Sequence, residues 1–405
     1  KMTKAHIHDP IFDNVQIANL NIKNRIFRAA TSETAAERNG DVSDRLIEFY
    51  SRIAKGQPGL IFTGHMFVET EGQYAPFQTG ITPKNDLLRL KKLVSAVHKY
   101  NVPLIAELSH CGSQTMMNNV ITKSPSVLPN LIYGNQPREL DEKEIENIID
   151  RFKISAALAM SAGFDGIHIH GGNGYLISQF SSPITNTRKD GWGGNKKNRD
   201  QFFLGIYKAI RKEIGPDRFI SARVGIRDVQ SNGLSVEEGI ARVKKLESCG
   251  LNSIEPRYNL MNTHKDNIKP FAGNDIIKSL TSGIFLFDGF KIRAHKEGYY
   301  SELCERLSLS EVTIPKILVG GIRTTNFMRK MLDEKKADFF ALSRPFIREP
   351  ELVNKIKKGY IKKVACVSCN MCFKHEGFHQ TQCWRNNIIK IAKHLIFALK
   401  HSLNN

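Results

Sequence analysis

The chain has 405 residues and no run of about 18 consecutive apolar residues, the length that a membrane-spanning helix requires. Its first residues also lack the apolar core of a secretory signal peptide. Cysteines number only seven, and four of them lie between positions 366 and 383. This distribution favours a metal site in a reducing compartment over a disulfide framework. We therefore expect a cytoplasmic protein without a membrane span.

Acidic residues are few relative to basic ones. Asp and Glu total 40 against 59 Lys and Arg, which gives a formal net charge of +19. Such a balance can indicate nucleic acid or an anionic ligand as the partner. However, no cluster of Lys and Arg contains interleaved aromatic residues, and no nucleic-acid-binding motif is present. We expect no nucleic acid partner, whereas a local basic pocket for a phosphate group is compatible with the composition.

The chain does contain a regular alternation of apolar segments and amphipathic helices. Eight segments are predicted to be strands, and they are apolar on both faces, as a buried parallel sheet requires. Eight strands, nearly all followed by helices, predict an α/β protein with a (β/α)8 TIM barrel. The alternative is a doubly wound open sheet, but no glycine-rich fingerprint follows the first strand. The predicted strands are Ile26–Thr31, Gly59–Val68, Pro103–His110, Gly166–His170, Phe219–Ile226, Asn252–Pro256, Ile314–Gly320 and Ala337–Ser343.

Two regions depart from this alternation. Residues 258–295 are long and irregular, and we interpret them as a functional excursion or a cap. The barrel is predicted to occupy residues 1–360, and a cysteine-rich extension follows at 361–405 with a basic amphipathic helix over Asn387–Leu403. That helix could lie on a membrane surface. Packing on the barrel or against another subunit is the preferred interpretation, and we expect a homo-oligomer.

Polar residues follow several of the predicted strands, at the end of a barrel where the chemistry gathers. The segment from His170 to Tyr175 offers two hydrogen-bond donors, His170 and Asn173, and a weak acid. Taken alone, it would also suit a turn with a capping Asn and a packed Tyr. Gly320-Gly321 and Ser343-Arg344 end the seventh and eighth strands, where barrels commonly bind phosphate. The pattern predicts a phosphorylated ligand beside a donor pair.

A wider resemblance is carried by three stretches: Asn24–Glu33, Glu107–Gly112 and Pro137–Arg199. They resemble the Old Yellow Enzyme family of FMN-dependent NAD(P)H:flavin oxidoreductases and ene-reductases. The similarity covers about residues 10–360 and is most specific around Gly163–Gly194. The cysteine-rich extension is similar to the cluster segment of the 2,4-dienoyl-CoA reductase and trimethylamine dehydrogenase branch.

The resemblance implies roles for the residues at the strand ends. His170 and Asn173 would hydrogen-bond the substrate's carbonyl or nitro oxygen, Tyr175 would protonate the substrate carbon, and Arg223 would stabilise the anionic reduced flavin. Further residues are expected to contact FMN: Ala30, Thr31, Ser32, Gly64, Glu107, Gly320, Gly321, Ser343 and Arg344.

Two of these positions depart from the family pattern. Glu107 stands where the family usually has Gln, so we expect its carboxylate to be protonated, to be displaced or to lower the flavin potential. Ser343 replaces the usual Gly of the phosphate pair. This is a mild change, because Ser can donate through both its N–H and its hydroxyl.

The four clustered cysteines have the spacing C-x2-C-x2-C-x10-C, formed by Cys366, Cys369, Cys372 and Cys383. Two-residue gaps let neighbouring thiolates reach adjacent corners of a [4Fe–4S] cluster. Zinc also accepts four cysteines, and a segment without metal is a third possibility. A cluster would be structural or would need an external electron-transfer partner.

The leading hypothesis is an FMN-dependent oxidoreductase that takes hydride from NAD(P)H. It would reduce an activated C=C bond of a small molecule, or a related electrophile, by a ping-pong mechanism. A second hypothesis supplies electrons to the flavin from a partner carrier through an iron–sulfur cluster. A third is a non-enzymatic barrel that binds a phosphorylated ligand.

Overall fold

The computed structural model describes residues 8–402 except 119, 264–265, 267–268 and 270–295. Most of the excursion expected at 258–295 therefore lies outside the described residues. The strands of the described chain are β1 (Val15–Ile17), β2 (Leu20–Ile22), β3 (Ile26–Arg28), β4 (Ile61–Phe67), β5 (Leu104–Ser109), β6 (Lys123–Ser124), β7 (Arg138–Glu139), β8 (Gly166–Gly171), β9 (Phe219–Arg227), β10 (Ser253–Tyr258), β11 (Ile317–Val319) and β12 (Phe339–Leu342).

Eight of these strands form one parallel sheet in the order β10-β9-β8-β5-β4-β3-β12-β11. The two outer strands meet through a parallel bridge between Ile254 and Lys316. At this bridge the N–H of Ile254 donates to the carbonyl of Pro315 at 3.0 Å. The sheet is thereby closed into a barrel, and the predicted (β/α)8 fold is confirmed. The side chains of β4, β5 and β8 are buried on both faces, as their continuous apolar character predicts.

Helices surround the sheet and follow most of its strands. They are α1 (Asp44–Lys55), α2 (Leu87–His98), α3 (Glu142–Ala162), α4 (Leu176–Ser181), α5 (Lys196–Ile214), α6 (Val236–Ser248), α7 (Ser301–Leu309), α8 (Thr325–Asp333), α9 (Arg344–Arg348), α10 (Leu352–Lys357) and α11 (Ile388–Ser402). No described helix is long and apolar enough to cross a membrane.

The longest helix of the described residues, α3, shows how local sequence sets its limits. The Asp141 side chain accepts the N–H of Glu144, and the Glu144 side chain in turn accepts the N–H of Asp141, which completes a capping box. Ile145, Ile148 and Phe152 recur on one face and are buried against the barrel. The helix ends where Gly163 adopts a left-handed φ of 95°.

The β1–β2 hairpin covers the amino-terminal end of the barrel. Its turn residue Asn19 donates to the carbonyl of Asp165 at 3.0 Å and accepts the N–H of Phe219 at 2.7 Å. Asp165 precedes β8 and Phe219 begins β9, so the hairpin spans the start of two adjacent strands. The opposite, carboxyl end of the barrel is left for the loops that form the cavity described next.

Candidate active site

One large cavity opens at the carboxyl ends of the strands. It contains about 1240 Å³ not filled by protein atoms, its open mouth included. Eleven residues that the sequence predicts for the site line it together: Ala30, Thr31, Ser32, His170, Asn173, Tyr175, Arg223, Gly320, Gly321, Ser343 and Arg344. Gly64 and Glu107 are not among the residues that line it.

His170 lies near the end of β8 and lines the cavity. Its Nδ1 is 3.3 Å from Nη1 of Arg223. A guanidinium can only donate, so this contact makes Nδ1 an acceptor and leaves the ring proton on Nε2. Nε2 is buried and has no hydrogen-bond partner among the described residues. Burial and the adjacent Arg223 lower the pKa of His170 well below its usual value, so the neutral ring presents a free N–H donor.

Asn173 reaches the same cavity from the loop after β8. Its φ is +61°, a left-handed conformation that Asn tolerates better than most residues. Its N–H donates to the carbonyl of Tyr258 at 3.1 Å, and the next N–H, of Gly174, donates to the carbonyl of Asn259 at 2.6 Å. The Oδ1 atom of Asn173 is buried without a hydrogen-bond partner among the described residues. The loop is thus tied to the end of β10 and leaves the Asn173 amide available to a ligand.

Tyr175 precedes α4 and stacks against His170, with ring centroids 4.5 Å apart. His65 and Tyr74 flank its ring at centroid distances of 5.4 and 5.6 Å. Burial, followed by the negative charge of Glu376, raises the pKa of Tyr175 well above its usual value. Its phenol therefore keeps its proton at neutral pH, beside the neutral donor of His170.

Arg223 on β9 is one of two cations at this end of the cavity, beside Arg257. Its Nε donates to Glu255 at 2.6 Å, and its Nη1 lies 3.1 Å from Glu107. Burial opposes the charge of Arg223, but the charges of the two carboxylates more than offset this and raise its pKa. Its remaining Nη2 is buried and has no partner among the described residues. One donor of a fully charged guanidinium is consequently free to meet a ligand.

Glu107 is fully buried behind Arg223. Its Oε1 lies within 3.1 Å of Arg223 Nη1 and 3.3 Å of His170 Nδ1. With the ring proton of His170 on Nε2, the carboxylate is paired with Arg223 and not hydrogen-bonded to His170. Gly64 also lies away from the cavity, where its N–H donates to Glu33 at 2.6 Å and its Cα faces that carboxylate so closely that a Cβ would collide.

The predicted phosphate corner comes together as the ends of β11 and β12. Gly320 and Gly321 both have positive φ, 100° and 71°, which exposes the backbone to the cavity without a side chain. Ser343 accepts a hydrogen bond from the hydroxyl of Thr31 at 2.6 Å, which joins this corner to the end of β3. Arg344 lines the cavity beside them and donates to the carbonyl of Lys269 at 3.2 Å and to the side chain of Asn370.

Residues 10–273 match the NADH:flavin oxidoreductase / NADH oxidase family, about two thirds of the chain. The chain belongs to this family. It is 32% identical over 366 residues to an NADH oxidase of Thermoanaerobacter brockii, covering 89% of this chain and 53% of that protein. It is 29% identical over 347 residues to an NADPH dehydrogenase of Clostridium acetobutylicum, covering 85% and 93%. The chain thus spans about half the length of the first of these curated relatives.

Solved structures show the same fold. A 2-naphthoyl-CoA reductase complex superposes with a TM-score of 0.82 at 24% identity, covering 94% of this chain and 57% of that one. The old yellow enzyme homologue of Zymomonas mobilis gives a TM-score of 0.70 at 22% identity, covering 89% and 95%. The resemblance to the Old Yellow Enzyme family is confirmed, and FMN is the cofactor that membership of this flavin oxidoreductase family supports.

The residues of the cavity fit FMN. The free Nη2 of Arg223 is a buried donor in need of an acceptor, and an isoalloxazine ring has carbonyl and nitrogen acceptors to offer. Arg344 and the two glycines of the phosphate corner combine a cation with uncovered backbone, the combination that phosphate requires. No other cofactor is needed to account for both features.

The clustered cysteines lie in the cysteine-rich extension that begins at residue 361, called the tail from here on, which packs over this cavity. Cys366 and Cys372 line the cavity, and Cys383 accepts a weak hydrogen bond from Arg348 at 3.6 Å. Burial, followed by the neighbouring thiols, raises the pKa of Cys372. In the described part of the chain, no group of three or more His, Cys, Asp or Glu side chains is arranged to hold a metal ion. Cys366, Cys369 and Cys383 nevertheless each influence the ionisation of Cys372, so the four thiols lie near one another. We derive no electron-transfer step through a metal at this site.

Several residues of the cavity were not predicted from sequence: His65, Tyr74, Gln114, Arg257, Arg323 and Glu376. His65 lies within β4 and Tyr74 follows that strand, so a stricter use of strand ends could have found them. Gln114 donates to the carbonyl of Asn173 at 3.0 Å and helps hold the donor loop. Glu376 has no local signal, because only the docking of the tail brings it to the barrel.

Proposed function

We propose that this chain takes hydride from NAD(P)H through FMN and reduces an activated C=C bond, or a related electrophile, of a small molecule in ping-pong fashion. The observation that carries the proposal is the arrangement of His170, Asn173 and Tyr175 in one cavity. A neutral imidazole with a free N–H, an unpaired amide and a protonated phenol stand together there. The curated relatives named NADH oxidase and NADPH dehydrogenase support the same class of reaction.

Bound FMN would supply the hydride transfer itself. Nη2 of Arg223 would hold its ring, and Gly320, Gly321, Ser343 and Arg344 would hold its phosphate. His170 Nε2–H and the Asn173 amide would donate to the oxygen of the activating group, where negative charge develops. Each such donor contributes about 3 kcal/mol to transition-state stabilisation.

Tyr175 would hold the proton destined for the substrate carbon. Its raised pKa keeps the phenol protonated until the developing carbanion, a stronger base, removes the proton. Because Tyr175 is buried, bulk water reaches this proton poorly. We therefore expect the phenol, rather than water, to protonate the substrate carbon.

The proposal is tested with protein reconstituted with FMN. NADH or NADPH should bleach the flavin absorbance, and an enone such as 2-cyclohexenone should restore it. Tyr175→Phe should leave bleaching unchanged and slow the restoration by about 10²- to 10⁴-fold. Failure to bind FMN, or equal reoxidation rates in wild type and Tyr175→Phe, would refute the assignment.

For the tail, we propose that Cys366, Cys369, Cys372 and Cys383 hold a [4Fe–4S] cluster, with zinc as the competing occupant. Their spacing supports this, although the described side chains do not form a closed ligand set. Iron, sulfide and zinc measured per chain after anaerobic purification would decide between them. A cluster would favour the second function, in which a partner carrier feeds the flavin.

A cytoplasmic location is also part of the proposal, and the absence of disulfides among the seven cysteines supports it. The exposed apolar side chains of α11, Ile388, Ile389, Ile396 and Leu399, support a homo-oligomer.

A further inference from the structure

The tail segment around Glu376 forms part of the cavity wall. Thr381 donates its N–H to the carbonyl of Glu33 at 2.7 Å and its hydroxyl to the carbonyl of Ser32 at 2.9 Å. The N–H of Gly377 reaches the hydroxyl of Thr34 at 3.4 Å. Three contacts therefore fix this segment against the loop that follows β3. The docking brings Glu376 to the cavity beside that loop.

Glu376 is a carboxyl group that lines the same cavity as Tyr74 and Tyr175. Its side chain is hydrogen-bonded to Ser32. Its charge acts on Tyr175, Tyr74 and Tyr133, and after burial it is the largest influence on the ionisation of Tyr175 and Tyr74. The hydroxyls of Tyr74 and Tyr133 lie 2.8 Å apart. Glu376 and the three tyrosines come from four separate segments of the chain, and Glu376 is the one carboxylic acid among the described residues that line the cavity.

Each turnover of the proposed reaction removes one proton from Tyr175. When Tyr175 protonates the substrate carbon, its O–H bond breaks and a C–H bond forms, while bound FMN would supply the hydride to the adjacent carbon. The buried phenolate must recover a proton before the next turnover. Its own high pKa makes it a strong base, but its burial limits direct access for water.

We infer that Glu376 is the proton-relay residue that reprotonates Tyr175, acting from the tail across the cavity. In this step the Glu376 O–H bond breaks and the Tyr175 O–H bond re-forms, and the carboxylate then takes a proton from water at the cavity mouth. No electrons move. The inference rests on the proposed ene-reductase function, because Tyr175 needs a proton only after it has given one away.

The ionisation of Glu376 suits this role. Burial, with the nearby Glu33 carboxylate adding to it, raises its pKa to about 7 despite the opposing hydrogen bond from Ser32. A group with this pKa is present in both forms near neutral pH, so it can give a proton to a stronger base and recover one from water. Glu33 is itself paired with Arg28 at 3.3 Å and is turned toward the barrel interior.

The test compares wild type, Glu376→Gln and Glu376→Asp, each loaded with FMN. Bleaching by NADH should be equal in all three. The first reoxidation by 2-cyclohexenone should also be nearly equal, because Tyr175 begins protonated. Later turnovers should slow by at least about tenfold in Glu376→Gln and recover in Glu376→Asp. With Glu376 as the relay, wild-type turnover is expected to decline above about pH 7, and Glu376→Gln should lose this decline.

Two results would overturn the relay. One is a Glu376→Gln enzyme with wild-type turnover and an unchanged pH profile. The other is an equal slowing of the first and later turnovers, which indicates a merely structural role. A wild-type protein without enone reductase activity counts against the proposed function instead. In that case the relay is tested by infrared titration of the Glu376 carboxyl band in wild type, with Glu376→Gln as the reference. Ionisation at the ordinary pKa of a Glu overturns the relay, and ionisation near 7 supports it.

Discussion

Asp228, just beyond β9, holds the donor loop of the cavity although it does not line the cavity itself. Its Oδ2 accepts from Ser182 and from the N–H of Leu234, both at 2.6 Å. Its Oδ1 accepts from the Asn259 amide and from the N–H of Leu260, both at 2.8 Å. The carbonyl of Asn259 in turn receives the N–H of Gly174. One buried carboxylate thus connects α4, β9 and the end of β10 to the residue after Asn173.

Replacing Asp228 with Asn keeps the acceptor oxygen at the Oδ1 position. It places an NH2 group at the Oδ2 position, facing the donors of Ser182 and Leu234. The Ser182 hydroxyl can rotate to accept, but the N–H of Leu234 cannot. One buried donor is left without a partner, and the remaining bonds lose their charge. Together these changes should cost about 3–4 kcal/mol. In a chain of this size the apparent melting temperature should fall by roughly 4–5 °C. A shift of Asn173 should also slow enone reduction by about 10- to 100-fold.

Asp200 provides the matched control. It is also buried and accepts from Arg242 Nε at 2.7 Å and Lys245 Nζ at 2.8 Å, but it lies on α5 in the outer ring. Asp200→Asn should lower the melting temperature while the turnover of folded enzyme is retained. Both variants are assayed at 20 °C by stopped-flow reoxidation of the flavin and by thermal scans at one heating rate. If Asp228→Asn loses no more activity than Asp200→Asn, the link from Asp228 to the donor loop is wrong.

Two further predictions concern charge. Glu107→Gln removes a negative charge behind Arg223, so the reduction potential of bound FMN should rise in a dye-equilibration titration, because the anionic reduced form is opposed less. Glu107→Asp keeps the charge and should stay near wild type, and a fall in potential in Glu107→Gln would contradict the reasoning. His98 donates to Asp165 at 2.8 Å, and this hydrogen bond raises the pKa of His98. A raised pKa stabilises the fold at pH values below that of the unfolded His, and this stabilisation disappears as the pH rises through the folded value. His98→Gln should therefore lower the free energy of unfolding at pH 6 by less than about 1 kcal/mol, because the pair is half-exposed. At pH 9 the loss should be smaller, and thermal scans at the two pH values measure the difference. An equal loss at both pH values would show that the charge contributes nothing.

Most of the barrel could be predicted from sequence because each parallel strand is buried on both faces. Apolar runs such as Gly166–His170 and Phe219–Ile226 leave little ambiguity about strand position, and the capping box at Asp141 sets the start of α3 within one residue. The short helices α4 and α9 could not be predicted in this way. Each has only five or six residues, too few for a hydrophobic period, and each is stabilised by tertiary contacts rather than by its own sequence.

The candidate site was partly predictable for the same reason. Strand ends meet at one end of a barrel, so residues as distant in sequence as Ser32, His170, Arg223 and Arg344 could be grouped before any coordinates were known. Glu107 shows the limit of that rule. Neighbouring residues of a strand point to opposite faces of the sheet, and residues on one face lie at different depths in the barrel. Only the ion pair between Glu107 and Arg223 shows that Glu107 lies behind the cavity wall. Glu376 depends on how a tail folds back over the barrel, which no periodicity records.

The closure of the barrel has a consequence for how the apoprotein behaves. β10 and β9 pair over six residues, whereas β10 meets β11 through a single bridge, and β11 itself has three residues. Together with the boundary between β3 and β4, where Arg28 and Ile61 form a single pair, the boundary between β10 and β11 therefore has few strand-to-strand hydrogen bonds to break in the described sheet. Gly320 and Gly321 extend from that short strand, so a phosphate held between them and Arg344 would fasten β11 to its neighbour β12. Bound FMN would then add interactions that hold β11 in the sheet. Amide hydrogen exchange in β11 should therefore slow more on cofactor binding than exchange anywhere in β4 or β5.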